Sequence, residues 1–289
     1  MLELHDLCAK AAPAAGIEWL DAAVHTLRAD PTRLPATFPQ LPRRLGREYL
    51  STGERRASDD VLVDTGAWRA CDAGALTLLH TLFAPHATQV DAGAVLCDLC
   101  DRGDLEERTM VLRSLSCLPI GPHTGRLLRD VQRTNQLVHF AAAALDSNLC
   151  VRALRAPDSG FTQEDFDRLI LKIAFVDLPL ARVFDAESCA SPELTRMLMG
   201  LATEREAAGR KVWHDTNRMI AHAPIDGTEA RLIGGLECGD DAHRLAAAEG
   251  VSALGRRDLA RYVAQRLPRE ESPRIRAALE RAADALGGA

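Results

Sequence analysis

The chain has 289 residues and 31.4 kDa, with 47% hydrophobic and 26% charged residues, a net charge of -6 and a pI near 5.9. That is the balance of a folded globular protein able to bury a large core, and it excludes a disordered chain. An acidic chain without a basic stripe interleaved with aromatics is not built for nucleic acid, and no run reaches the roughly 18 apolar residues that a membrane span needs.

Aromatics make up only 4% of the residues, and Ala and Leu supply much of the apolar mass. Close-packed helices suit that composition better than a β-sandwich, which draws on Val, Ile, Thr and Tyr. The expected fold class is therefore all-α, an α-α superhelix or HEAT-like solenoid of antiparallel helix hairpins, although no self-similar repeat of fixed period is found. Met1–Lys10 carries Glu3, His5 and Asp6 where a signal peptide would be basic and then apolar. A cytoplasmic location is expected.

In chain order, helices are expected over residues 2–12 and 16–29, where Ile17, Leu20, Val24 and Leu27 recur at helical spacing. Four prolines between Pro31 and Gly46 predict an irregular strap anchored by Leu34, Phe38, Leu41 and Leu45. A short helical turn is expected at 59–64, with Trp68 as an anchor behind it. Helices follow at 72–83, at 88–101 and at 104–117, the last with Asp104 as N-cap. One long helix is expected from His123 to Leu145.

The next two helices carry the clearest end signals. Thr162 with Asp165 makes a capping box, and Phe166, Leu169, Ile170, Ile173 and Ala174 share one face while Leu171 and Phe175 lie on the other, which predicts a helix buried nearly all round. Ser191 and Pro192 open the second, and Gly209 closes it. Leu194, Leu198 and Leu201 form its stripe, and by spacing the next member is Arg205. Short Ala-rich helices are expected at 228–237, 240–249, 257–267 and 273–286. The acidic pairs Asp240–Asp241 and Glu270–Glu271 sit beside turns and are expected to be solvated. The turn at 225–227 separates an expected main helical domain, 1–226, from C-terminal hairpins, 227–289, that continue the same body.

Candidate functional residues are those whose polarity conflicts with their expected placement. An arginine that continues a leucine stripe is costly to bury without an anion beside it. Arg205, Lys172 and Arg210 could therefore line a cleft for an anionic group, or Arg205 could serve architecture alone. Asn135 falls within the apolar face of the long helix, and a buried amide must find a hydrogen bond. His139, one turn later, is a general-base candidate or a satisfied core histidine. Glu204 is the second general-base candidate. The cysteines at positions 97 and 100 share a helix face without a second pair at zinc-site spacing, so no metal is expected. The sequence has no Walker loop, dinucleotide fingerprint, HExxH or GxSxG, and no cofactor is expected.

Several short motifs occur in an order that resembles the EboA family, bacterial proteins encoded in ebo clusters: Arg133-Thr134-Asn135, Asn148, Leu171-Lys172, Phe175, Pro179-Leu180, Pro192-Glu193-Leu194, Met197-Leu198, Glu204-Arg205 and Ala208-Gly209-Arg210. The resemblance spans roughly 70–224. It departs where Asp167-Arg168-Leu169-Ile170 stands in place of a Trp-Asn pair, and where Glu206 replaces an aromatic. It implies an all-helical accessory protein of a secondary-metabolite pathway, such as that of a prenylated cyclitol, with no established reaction of its own. On that reading Arg133, Asn135, Asn148, Lys172, Arg205 and Arg210 bind a small anionic metabolite, or the surface they form meets a pathway enzyme. The rivals are an enzyme using Glu204 or His139 as base, and a pure scaffold whose polar groups are paired internally.

Overall fold

The computed structural model describes residues 4–50, 55–58, 60–84 and 90–287. Helices supply nearly all of its regular structure, so the chain is all-α. It divides into two compact units, one of Met1–Asp165 with Arg182–Phe184, the other of Phe166–Ala181 with Asp185–Ala289.

The first unit opens with α1 (Leu4–Ala11) and α2 (Ala14–Ala29), then α3 (Leu34–Thr37) and α4 (Leu41–Leu45). The proline strap is not irregular: its prolines sit in the first turn of successive short helical elements, where the missing N–H is no loss. Its anchors Leu34, Phe38, Leu41 and Leu45 are fully buried, as expected.

The helical turn expected at 59–64 is instead a hairpin, β1 (Arg55–Ser58) paired antiparallel with β2 (Val61–Asp64); Asp59 lies outside the described residues. Backbone partners from distant residues decide this: Asp64 N donates to Asp146 O at 2.7 Å and Asn148 N to Leu62 O at 3.1 Å. The β-branched Val61 and Val63 suit the extended form. Trp68 is buried, as its anchor role requires.

Helix α5 (Ala70–His80) is buried almost all round and packs against α1, α2, α4 and, later in the chain, α7. Then come α6 (Ala92–Arg102), capped by Asp91, and α7 (Leu105–Ser114), capped by Asp104. The expected start of α6 at Thr88 lies outside the described residues. Asp104 accepts from the Glu106 and Glu107 amides at 2.8 Å, and Glu107 returns to the Asp104 amide at 2.9 Å, a complete capping box.

The single helix expected over 123–145 is two, α8 (Pro122–Arg133) and α9 (Leu137–Ala144). The Thr134 hydroxyl accepts from the Gln136 amide at 3.1 Å, a local bond that competes with the helical ladder. The break also turns the apolar face, leaving Leu137 and Val138 exposed while His139 and Phe140 are buried. Gly125 on α8 is a contact point rather than a weak spot, because a Cβ there would lie 2.1 Å from the Ser159 carbonyl oxygen. The unit closes with α10 (Leu149–Arg155).

Helix α11 (Gln163–Phe175) begins with the expected reciprocal cap between Thr162 and Asp165, at 3.1 and 3.2 Å. Phe166, Leu169, Ile170, Ile173 and Ala174 are fully buried. The opposite face is not: Arg168 and Phe175 are exposed and Leu171 and Lys172 half-buried, so the helix is amphipathic rather than buried all round.

The second unit continues with α12 (Pro192–Ala207), α13 (Thr216–Ile220), α14 (Thr228–Leu236), α15 (Asp241–Leu254), α16 (Ala260–Arg266) and α17 (Pro273–Gly287). Ser191 caps α12 by accepting from the Leu194 amide at 2.9 Å, and Gly209 follows its end at φ 62°, the left-handed conformation that glycine adopts without penalty. Helix α15 packs against α13, α14 and α17 around Leu232, Leu236, Val251, Val263, Ile275 and Leu279. Its Ala246-Ala247-Ala248 run lets the neighbouring backbones approach closely.

Candidate functional site

In the first unit, Arg133 ends α8 and is exposed, and Asn135 lies exposed in the break between α8 and α9. Asn135 is therefore not the buried amide that an unbroken helix would make of it. Asn148 is buried and fastens the hairpin, accepting from the Leu62 amide at 3.0 Å and donating to the Asp60 carbonyl at 2.6 Å. His139 is buried with Nε2 3.0 Å from the Leu105 carbonyl. A carbonyl only accepts, so that nitrogen carries the proton and the ring is satisfied within the core.

In the second unit, Arg205 donates to the Phe175 carbonyl at 2.6 Å and the Lys211 carbonyl at 3.0 Å, with its guanidinium 5.5 Å from the centre of the Phe175 ring. Its partners are carbonyls and an aromatic face rather than the carboxylate that burial in a leucine stripe would demand. It ties the segment after α12 to the end of α11. Glu204 and Arg210 are exposed, and Lys172 is half-buried, its pKa lowered by desolvation.

The residues after Arg205 lead into a cleft of about 650 Å³ within this unit. The turn at Gly209 and the Arg205 tether bring Lys211 to one wall beside Glu206. Helix α13 supplies Asn217 as the floor, α14 supplies Arg231, Gly234 and Gly235, and the start of α15 supplies Asp240 and His243. Asp240 caps α15 by accepting from the Ala242 and His243 amides at 2.9 and 3.2 Å, and its carboxylate also holds His243 Nδ1 at 3.1 Å. That bond to the imidazole, with the cap, holds the Asp240 pKa below the usual carboxylate value.

Asn217 is only 5% exposed, yet its side-chain oxygen has no hydrogen-bond partner, and neither has Arg231 Nε. Buried polar groups left unmade cost about 1–3 kcal/mol each, so such groups on the wall of a cleft need explaining. A Cβ at Gly235 would lie 2.2 Å from Asn217 Nδ2, whereas one at Gly234 would meet nothing within 4 Å. Nothing local in the sequence distinguishes Asn217, Arg231 or the glycine pair.

On the other side of α13 lies a second cleft, of about 400 Å³, where His214 and Asp215 meet Arg218, Glu249 and Ser272. Asp215 is buried, accepts from the Leu180 amide at 2.8 Å and lies 3.1 Å from His214 Nε2. The hydrogen bond to this carboxylate raises the His214 pKa against the effect of burial. A carboxylate that orients an imidazole at a cleft wall is an arrangement able to move protons. Sequence alone showed His and Asp as neighbours, and only the fold adds the Leu180 amide that anchors the pair.

Among the described residues, no three His, Cys, Asp or Glu side chains are grouped to hold a metal, and no helix is long and apolar enough to cross a membrane. Cys97 and Cys100 are free thiols, and burial pushes the Cys100 pKa up to about 11. No curated protein matches the chain. A family model described as metabolite traffic protein EboA matches residues 2–221. The match takes in most of the chain, from α1 through the Asn217 floor of the larger cleft, and places this protein in the EboA family.

Proposed function

We propose that the protein is a non-catalytic, accessory component of metabolite traffic that holds a small metabolite in the cleft between α12, α13 and α14. The observation that carries this reading is the Asn217 amide, buried on the floor of an open cleft with its oxygen unpartnered. Arg205 acts there by positioning the Lys211 wall, whereas Arg210 and Lys172 belong to the same unit but are not among the cleft's lining residues. Arg133, Asn135 and Asn148 belong to the first unit, where Asn148 is committed to the hairpin.

The family match ends at residue 221, while Arg231, Gly234 and His243 lie beyond it. We therefore take 1–226 as the family domain and 227–289 as a continuation of the same body that completes the cleft. The packing of α7 on α5 and α9, with α6 on α8, supports the superhelical arrangement of hairpins. We place the protein in the bacterial cytoplasm, in a secondary-metabolite pathway of the ebo type, with the pathway's enzymes as further partners.

The test is a thermal-shift screen of the intact chain against cyclitols, sugars, prenyl alcohols and the phosphates of each, with Gly234→Leu as the cleft-blocking control. A ligand at one hundred times its Kd adds about 2.7 kcal/mol to stability. Stabilisation by one class, lost in the variant, is the expected outcome; a melting temperature unmoved by every compound would refute the reading.

A catalytic alternative moves from His139 and Glu204 to His214, because that imidazole is the one held by a buried carboxylate at a cleft. In that case His214→Gln abolishes chemical conversion of a bound compound, followed by mass spectrometry, and leaves its thermal stabilisation intact. An unaltered compound after prolonged incubation with the unmodified chain rejects this alternative.

A further inference from the structure

We infer that the cleft between α12, α13 and α14 selects an uncharged, hydroxyl-rich compound of mono- or disaccharide size in preference to an anion, an inference that rests on that cleft being the metabolite site.

The charge of a ligand follows from what the lining cations have left to offer. Lys211 Nζ is 3.1 Å from Asp177. The terminal nitrogens of Arg231 lie 2.8 and 3.4 Å from the Glu206 carboxylate. His243 Nδ1 is 3.1 Å from Asp240. Lys211 is thus paired with Asp177, Arg231 with Glu206 and His243 with Asp240, and an anion entering the cleft would have to compete with carboxylates already in place.

What remains unmet is hydrogen-bonding capacity: the neutral acceptor Oδ1 of Asn217 and the donor Nε of Arg231, whose guanidinium charge Glu206 already balances. A hydroxyl both donates and accepts, so a compound with several hydroxyls can serve both groups. With its oxygen unpartnered, the Asn217 amide can turn about χ2 toward the cleft without breaking a bond at that atom.

The glycine pair completes the argument. Gly235 is required by packing against Asn217, but Gly234 has no neighbour that would exclude a side chain. Its bare backbone offers a flat helical surface on which a ring can lie at close range. The volume of about 650 Å³ is that of an ordinary small-molecule site. Glu206 also belongs to this account. Its carboxylate neutralises Arg231.

Saturation-transfer NMR on the intact chain decides the matter, with glucose, sorbitol and sucrose as neutral probes and glucose 6-phosphate and gluconate as their anionic counterparts. Two variants accompany it: Gly234→Leu, which adds bulk at a lining position where a Cβ meets nothing within 4 Å, and Asn217→Leu, which removes the amide. Circular dichroism melts establish that each is folded. The expected result is saturable transfer to neutral probes, about tenfold weaker for the anionic ones, and lost in both variants. Anionic probes binding more tightly, with transfer abolished by Gly234→Leu, would overturn the ligand class and leave the cleft as the metabolite site. No transfer to any probe, or transfer that survives both variants, would overturn both.

Discussion

Replacing Glu270 with alanine is expected to destabilise the chain by about 3 kcal/mol, read as a lowered urea midpoint, because it removes the buried carboxylate that Arg244 and Arg266 share. Glu270 is 1% exposed and joins three helices. Its carboxylate accepts from Arg244 Nε at 2.9 Å on α15, from Arg266 Nη2 at 2.8 Å on α16 and from the Ser272 amide at 3.0 Å just before α17. Arg244 is itself buried and donates to the Cys238 and Gly239 carbonyls at 2.9 and 3.1 Å. With Glu270 gone, its remaining carboxylate partner is the exposed Asp241, at 2.6 Å.

The same site makes acid stability legible. The hydrogen bond from Arg244, aided by those from Arg266 and Ser272, lowers the Glu270 pKa from 4.5 to about 2. A depressed carboxylate takes up its proton more readily when unfolded, so its contribution is complete above pH 4.5 and is lost as the pH falls from there toward 2. Acid titration of the melting temperature is expected to show that loss in the unaltered chain and a flatter profile over the same interval in Glu270→Gln. Equal slopes in the two proteins would remove Glu270 from the account.

Asp72→Ala is expected to be comparably damaging, by about 3–5 kcal/mol, and to act on the first unit. Asp72 is 0% exposed at the third position of α5. It accepts from the Arg69 amide at 2.8 Å, from Arg69 Nη2 at 3.0 Å and from Arg113 Nη1 on α7 at 2.6 Å. Arg69 reaches on to Glu106 at 2.8 Å, and Arg47 meets the same glutamate at 2.6 Å. The substitution therefore removes a helix cap, strands the half-buried Arg113 guanidinium and leaves Arg69 with Glu106 alone. Arg113→Ala in the same chain should add less than its separate cost, since its partner is already gone. Full additivity of the two losses in urea denaturation would show that Asp72 and Arg113 are not coupled.

Asp72 and Glu270 also mark where sequence reading stops. Helix periodicity placed Asp72 at a helix start, and turn-flanking acids made Glu270 look solvated. Neither pattern carries the distant arginines, 41 and 26 residues away, that make these carboxylates part of the core. The break between α8 and α9 is hidden in the sequence for a related reason. The apolar spacing of 123–145 continues on paper, while the Thr134 hydroxyl bond and the exposure of Leu137 and Val138 end the first helix. Spacing makes Arg205 anomalous in a leucine stripe, but its partners are the Phe175 and Lys211 carbonyls, which no spacing rule names.

By itself the sequence determined the helical class, the caps at Asp104, Thr162 and Ser191, the closing glycine at 209 and the buried strap anchors, because each is decided by bonds or burial within a turn or two of chain. Only the tertiary structure decided that residues 61–64 are a strand, that Glu270 is buried, and that Asn217 lies under a glycine-lined cleft with its oxygen unanswered. The strand's bonds to residues 146 and 148, Arg244 beside Glu270 and Gly235 of α14 against Asn217 all come from chain far enough away that helical periodicity carries no record of them.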